Sequence, residues 1–273
     1  MSCLVVGDYS QIEPRLMAHW SRDPRLTSVY LDGGGDVYID MARAVFETDD
    51  VTREQRDICK TLVLGMSYGA GDKKVGAILT VNGYPTSVET GAEYVSRLRS
   101  TYPVFFSWRD EVIGQAHRDG FVSTIGGRHR RLGASFLDSR NFKLVGYGER
   151  QAVNAIIQGS AADIVRRVMV ACQTRVVPEF ELLAQVHDEL VWEWRGELCS
   201  KAGLGGHAAD CGLRPSDMQL AELREVAETG HGFNLRVPLL FDVHVGDSWY
   251  SGKEGIDLEL PADLEEAEAR EEE

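Results

Sequence analysis

Apolar positions recur at helical spacing through the middle of the chain and give way to short, dense apolar runs near its start and after residue 178. Leu4-Val5-Val6-Gly7-Asp8-Tyr9-Ser10 predicts a short buried strand ending in an acid, and Ile12, Leu16, Met17 and Trp20 then mark one face of a helix. Gly33-Gly34-Gly35 interrupts the chain, and a helical pattern resumes from Val37 to Phe46. Thr52-Arg53-Glu54-Gln55 has the form of a capping box, opening a helix that reaches about Tyr68, where Gly69 and Gly71 stop it. Further helices are predicted at about Val88 to Thr101, Phe105 to Asp119 and Gly148 to Arg175, with the Gly-rich basic loop Gly126 to Gly133 between the last two. After Pro178, Glu181 to Gln185 and Leu190 to Trp194 are β-like runs flanking Val186-His187-Asp188-Glu189, as in a hairpin with polar groups at its tip. Gly196 to Gly212 reads as a loop insertion, Ser216 to Glu228 as a helix and Pro238 to Val245 as a last strand; there are no internal repeats.

With 273 residues, 43% apolar and 26% charged, the chain has material for one large core or two smaller modules, which excludes a disordered or fibrous protein. No apolar run approaches the ~20 residues of a membrane-spanning helix, and the first strand meets Asp8 too early for a signal peptide. The expectation is a cytoplasmic protein with no membrane partner. Five cysteines at irregular spacing (3, 59, 172, 199, 211) form no disulfide framework and suit a reducing compartment; Cys199, His207 and Cys211 match no standard zinc module and read as free thiols and a loop His. The formal charge of -14 argues against nucleic acid until its distribution is considered. Ten acids and one Arg crowd residues 254–273, a low-complexity solvated tail, whereas residues 118–150 hold six Arg and one Lys against three acids. A basic surface therefore survives inside an acidic protein.

Three constellations carry candidate chemistry. Asp8 closes one predicted strand, and Asp188 with Glu189 sits at the tip of another; if these strands are neighbours, their carboxylates supply the hard oxygen ligands that a pair of Mg²⁺ ions needs, and if not they are acids in turns. Arg56, Lys60, Leu64 and Tyr68 recur every four residues on one helix, a stripe suited either to a triphosphate and a flat base or to a solvated basic edge. Arg150, Asn154 and Gln158 repeat that spacing, presenting a guanidinium and two amides that suit minor-groove acceptors or an ordinary exposed helix face.

In order along the chain these segments resemble the polymerase domain of family-A DNA polymerases, the bacterial DNA polymerase I family. Asp8-Tyr9-Ser10-Gln11-Ile12-Glu13-Pro14-Arg15 is similar to motif A, Arg56-x3-Lys60-x7-Tyr68-Gly69 to motif B, and Val186-His187-Asp188-Glu189 to motif C. Tyr102-Pro103, Gly127-Arg128-His129-Arg130-Arg131 and Gln158-Gly159-Ser160-Ala161-Ala162-Asp163-Ile164 also resemble family segments, so the likeness covers about residues 3 to 250. The resemblance implies an α+β fold, an antiparallel-sheet palm with an inserted, mainly helical fingers subdomain and the thumb absent. It divides the chain into a leading palm segment (1–30, motif A), fingers (31–143, motif B helix 53–68), a trailing palm segment (144–250, motif C 186–189) and the acidic tail (251–273). It implies DNA synthesis on a primer-template from dNTPs by a two-metal mechanism, with two Mg²⁺ ions held by Asp8 and Asp188, and Glu189 as a further metal residue. Arg56 is then expected at the γ-phosphate and Lys60 at the α-phosphate, with Gln11 and Tyr38 lining the nucleotide pocket. Glu13 is expected to fill the space of a ribose 2′-hydroxyl and Tyr68 to stack near the templating base. His187 is expected at the primer terminus, and Arg128, Arg150, Asn154 and Gln158 on the DNA.

Four positions depart from the family pattern. Leu64 stands for an aromatic residue that governs discrimination at the 3′ position, Tyr38 for a phosphate-contacting His, and Leu144 and Val145 for cations on the template backbone, so a weaker grip on DNA is expected. No thumb or upstream palm matches these residues, which leads to the expectation of a second polypeptide that completes a split enzyme, or of a reading frame begun at an internal Met, with a phage as the source. The competing class is a non-catalytic DNA- or partner-binding remnant, and a Mg²⁺-dependent nuclease ranks third because it leaves the triphosphate stripe without a purpose.

Overall fold

A computed structural model describes residues 3–31, 35–67, 72–133, 140–175, 179–195 and 214–250, apart from the side chains of 64–67, 72 and 73. Tyr68, the Cys199 to Cys211 insertion and the acidic tail lie outside the described residues. The elements are β1 (Cys3–Tyr9), α1 (Ile12–Ser21), α2 (Pro24–Leu31), α3 (Val37–Phe46), α4 (Arg53–Ser67), α5 (Asp72–Val81), α6 (Val88–Thr101) and α7 (Pro103–Asp119). They continue as β2 (Phe121–Ser123), β3 (His129–Arg131), α8 (Phe142–Arg175), β4 (Phe180–Val186), β5 (Glu189–Trp194), α9 (Asp217–Thr229) and β6 (Phe241–Gly246). This is the α+β class expected above.

Contacts divide the chain into two compact units: Met1–Ser10 with Val168–His231 and Leu240–Glu273, and Gln11–Arg167 with Gly232–Leu239.

The first unit is built on an antiparallel sheet in the order β4-β5-β1-β6. β1 and β5 occupy its centre because they are apolar on both faces: Val5 and Val6 of β1 and Leu190 of β5 are inaccessible to solvent, and Trp192 is 1% exposed. β4 stands at an edge and is mostly exposed, in keeping with its mixed sequence FELLAQV. α9 packs on β6, where the buried Tyr9 hydroxyl donates to Ala227 O at 2.7 Å. The Phe241 ring meets Tyr9 edge-on at 4.7 Å.

The second unit is helical. Arg15, 1% exposed, donates to Pro238 O at 2.7 Å and lies 4.4 Å over the Tyr30 ring, so a buried guanidinium is both paired and stacked. Two helices went unread in the sequence. α2 is only eight residues long, but Asp23 caps it, its Oδ1 accepting from the Arg25 and Leu26 N–H groups, and Pro24 occupies its first position. α5 follows Gly69 and Gly71 and carries Gly76, which obscures its period; Gly76 and Gly91 allow α5 and α6 to approach closely, since a Cβ on Gly91 would lie 2.5 Å from Gly76 N. The basic loop contains β3, which pairs with β2 just before it in a short ladder that the exposed run His129-Arg130-Arg131 did not announce.

Candidate active site

The strand that ends in Asp8 pairs with the strand that follows Asp188. β1 and β5 are antiparallel with Asp8 opposite Glu189, and Val186 of β4 also faces Glu189, so His187 and Asp188 form a two-residue turn between β4 and β5. His187 takes φ 56, a left-handed conformation seldom adopted outside glycine, and Gln185 Nε2 donates to its carbonyl at 2.9 Å. The turn is thus held in a strained shape that fixes the next residue, Asp188. Burial pushes the Asp188 carboxyl above its ordinary range; its backbone N–H and His187 pull it back, and Glu189 adds to the rise.

Glu189 is 6% exposed, and its Oε1 accepts from the Trp249 indole N–H. On the other side of Asp8 stands Asp242 of β6, so one row across three strands reads Glu189, Asp8, Asp242; residues directly opposed in an antiparallel ladder share a face. Among the described residues no three His, Cys, Asp or Glu side chains are gathered closely enough to enclose a metal ion. Asp8 and Asp188 are hard oxygen donors at adjoining strand ends, and Mg²⁺ is characteristically held by one or two carboxylates with water and phosphate completing its shell. The donor set fits that ion without a protein cage.

The helical unit holds the predicted nucleotide stripe. The expected capping box opens α4: Gln55 N donates to Thr52 Oγ1 at 3.2 Å and Thr52 N to Gln55 Oε1 at 3.0 Å. One turn on, Arg56 Nε donates to Asp36 Oδ2 at 2.7 Å, while Asp36 Oδ1 accepts from Tyr38 N at 2.8 Å and caps α3. The Arg56 guanidinium also sits 5.7 Å over the Tyr38 ring and 3.4 Å from Asp57. Burial opposes its charge, but Asp36, Asp57 and Tyr38 outweigh that and raise its pKa above the ordinary value. Lys60 is exposed on α4 and Leu64 follows a turn later on the same helix. Gln11 has φ 56 at the entry to α1, and its Oε1 accepts from Tyr30 Oη at 3.1 Å and Val37 N at 3.3 Å; Glu13 lies in the first turn of α1.

Arg128 of the β2–β3 turn and Arg150, Asn154 and Gln158 of α8 line one cleft of about 680 Å³, together with Arg130 and Tyr147. On α8 the residues Tyr147, Arg150, Asn154 and Gln158 follow the helical repeat as one stripe. His187, expected on the same DNA, belongs to the sheet unit.

Four further residues escaped the sequence reading. Asp36 had a readable signal, as a cap residue directly before the apolar run from Val37. Trp249 and Asp242 had none, because each meets Glu189 or Asp8 only through pairing across many residues. Asp163, noted only as a member of a family-like segment, is buried against the β2–β3 turn.

The family model of DNA polymerase family A matches residues 1–251. DNA polymerase I of Geobacillus stearothermophilus is 32% identical over 255 residues, which is 92% of this chain and 26% of that protein. DNA polymerase I of Streptococcus pneumoniae serotype 4 is 31% identical over 260 residues, with the same 92% and 26% shares. Among solved structures, the POL domain of Pol1 from M. smegmatis, in complex with DNA primer-template and dNTP, superimposes with a TM-score of 0.74 at 31% identity, covering 92% of this chain and 40% of that one. The chain thus spans about a quarter of the length of the curated relatives it matches. These relatives are bacterial, and the phage source expected from the sequence finds no support in them.

Proposed function

Since the chain belongs to DNA polymerase family A, we propose that it extends a primer 3′-hydroxyl along a DNA template, transferring a nucleotidyl group from a dNTP. The observation that carries this reading is the register of the sheet: it seats Asp8 opposite Glu189 and next to the turn that bears Asp188, so motifs 180 residues apart share adjoining strand ends. Asp8 and Asp188 hold two Mg²⁺ ions in this reading, with Glu189 behind them, held by Trp249. When bound, the ions neutralise charge on the triphosphate and lower the pKa of the attacking hydroxyl.

The remaining steps belong to side chains of this chain. Arg56, oriented by Asp36 through Nε, binds the γ-phosphate. Lys60 lies at the α-phosphate and delivers a proton to the departing pyrophosphate. Gln11 and Tyr38 line the nucleotide pocket, Glu13 excludes a 2′-hydroxyl, Leu64 borders the sugar and Tyr68 stacks near the templating base. His187 meets the primer terminus, and the cleft lined by Arg128, Arg150, Asn154 and Gln158 receives the duplex. We assign palm roles to residues 1–30 and 144–250, a fingers role to 31–143 and an accessory role to the tail 251–273. The cytoplasm is the compartment in which this activity meets DNA. No helix among the described residues is long and apolar enough to cross a membrane.

The test is extension of a labelled primer-template with Mg²⁺ and four dNTPs by the chain and its Asp188→Ala variant, with and without a polypeptide supplying the thumb and upstream palm of a relative. Extension that the variant lacks, in either format, supports the proposal. A folded chain that extends nothing in either format leaves a non-catalytic binding role.

A further inference from the structure

The segment Gly159-Ser160-Ala161-Ala162-Asp163 on α8 has no role in the chemistry proposed above, yet it is bonded repeatedly to the β2–β3 turn beside the cleft. The Asp163 side chain is 8% exposed and accepts three hydrogen bonds from the β2–β3 turn: Oδ2 from Thr124 Oγ1 and, at 3.0 Å, from Gly126 N, and Oδ1 from Arg128 Nε. Arg128 reaches past it to Gly159 O, donating from Nη2 at 2.9 Å. Ser160, inaccessible to solvent, accepts from Ile125 N at 3.0 Å and from the Trp20 indole at 3.3 Å.

Two glycines make the approach possible. A Cβ on Gly126 would lie 2.7 Å from Asp163 Oδ2, and one on Gly159 would lie 2.5 Å from Thr124 Cγ2. The turn is closed on itself as well, with Gly127 N donating to Thr124 O at 2.9 Å and Thr124 N to Arg128 O at 3.0 Å.

A buried carboxylate in a cleft intended for phosphates works against binding unless its charge is consumed locally. Here it is consumed by Arg128, whose Nε and Nη2 both bind inside the protein. Arg130 and His129 follow on β3 and line the cleft as exposed residues.

We propose that Asp163 is a positioning residue: it locks the β2–β3 turn onto α8 and turns Arg128 into an internal strut, leaving Arg130 and Arg150 as the cations that meet a nucleic-acid backbone. This refines the proposed DNA-binding cleft and rests on that reading for its consequence, though not for its geometry.

The first measurement needs no DNA. Amide hydrogen exchange of the full chain is expected to accelerate over residues 124–131 in Asp163→Asn while α8 keeps its protection. Unchanged exchange in the folded variant would overturn the proposal. If Asp163→Asn does not fold, Arg128→Ala, at a half-exposed side chain, carries the same expectation.

The second measurement is primer-template binding by fluorescence anisotropy across a salt series. Asp163→Asn and Arg128→Ala are each expected to weaken binding about three- to tenfold, the cost of re-ordering a loosened turn. Their effects should not add in the double variant. A strut predicts that Arg128→Ala leaves the slope of log Kd against log salt unchanged, whereas Arg130→Ala lowers it by about 0.9, as one lost phosphate contact should. A slope lowered by Arg128→Ala would overturn the assignment. Absence of duplex binding by the parent chain would instead overturn the DNA reading, with the exchange result still deciding the role of Asp163.

Discussion

Gly7 precedes Asp8 at the centre of the sheet, and Gly7→Ala is expected to be among the most damaging single-methyl substitutions in the chain. A Cβ at Gly7 would fall inside contact distance of Phe241 Cε1 and Cζ and only 3.2 Å from Cδ1, against the ~3.5–4.0 Å of an ordinary carbon contact. The ring has little room to yield. Phe241 is 1% exposed and meets Tyr9 at 4.7 Å and Trp192 at 6.1 Å. Its backbone is tied on both sides, N donating to Glu228 Oε1 at 3.0 Å and O accepting from Arg224 Nε at 3.2 Å. Overpacking of this kind costs about 1–3 kcal/mol, and the anchored backbone places Gly7→Ala at the upper end. At about 2–4 °C per kcal/mol for a chain of this size, thermal unfolding followed by circular dichroism should show a fall of about 6–12 °C. Because the displaced strand carries Asp8, half-saturation of extension should also need more Mg²⁺. The double variant Gly7→Ala/Phe241→Leu removes the obstructing ring atoms and should be more stable than the sum of its single effects by about 1 kcal/mol or more. A Gly7→Ala protein within about 0.5 kcal/mol of the parent, or strict additivity in the double variant, would refute the reasoning.

Asp188→Asn should abolish extension and at the same time raise the unfolding temperature at neutral pH. Burial raises the folded-state pKa of Asp188, so the stability of its neutral form is present below the unfolded value and lost as pH rises through the folded one; the Asn variant keeps it, and its advantage should vanish below about pH 4. A variant less stable than the parent at neutral pH would contradict this. Trp249→Phe leaves a buried Glu189 oxygen without its indole donor and should cost about 1–3 kcal/mol in chemical denaturation, with Glu189→Gln in the same background recovering some of it. Arg150→Ala should weaken primer-template binding uniformly across sequences and reduce the salt slope by about 0.9; a sequence-dependent loss would point to base reading instead.

The local elements were legible because they obey local rules. The helix from Val37 to Phe46 and that from Val88 to Thr101 have the bounds their apolar spacing predicts, and Thr52 and Gln55 form the capping box their types imply. The hairpin around His187 and Asp188 could be read because two apolar runs flank a polar pair. What escaped was short, or broken by glycine: α2 offers eight residues, α5 is obscured by Gly76, and the β2–β3 ladder has an all-exposed strand without alternation.

Residue types and their spacing alone carry the class of each long element, the carboxylates at two strand ends, the cationic stripe on one helix and the family to which these motifs belong. Periodicity and side-chain type are properties of neighbours in the chain, and they survive without a fold. It takes the folded chain to stand Asp8 between Glu189 and Asp242, to orient Arg56 by Asp36 and to pair Arg128 with Asp163. Those facts depend on strand register and on close approach at Gly126 and Gly159. A register displaced by one residue would send every side chain of β1 to the opposite face, and nothing within seven residues of sequence chooses between the two; the pairing of buried Val5 with buried Trp192 across the sheet does.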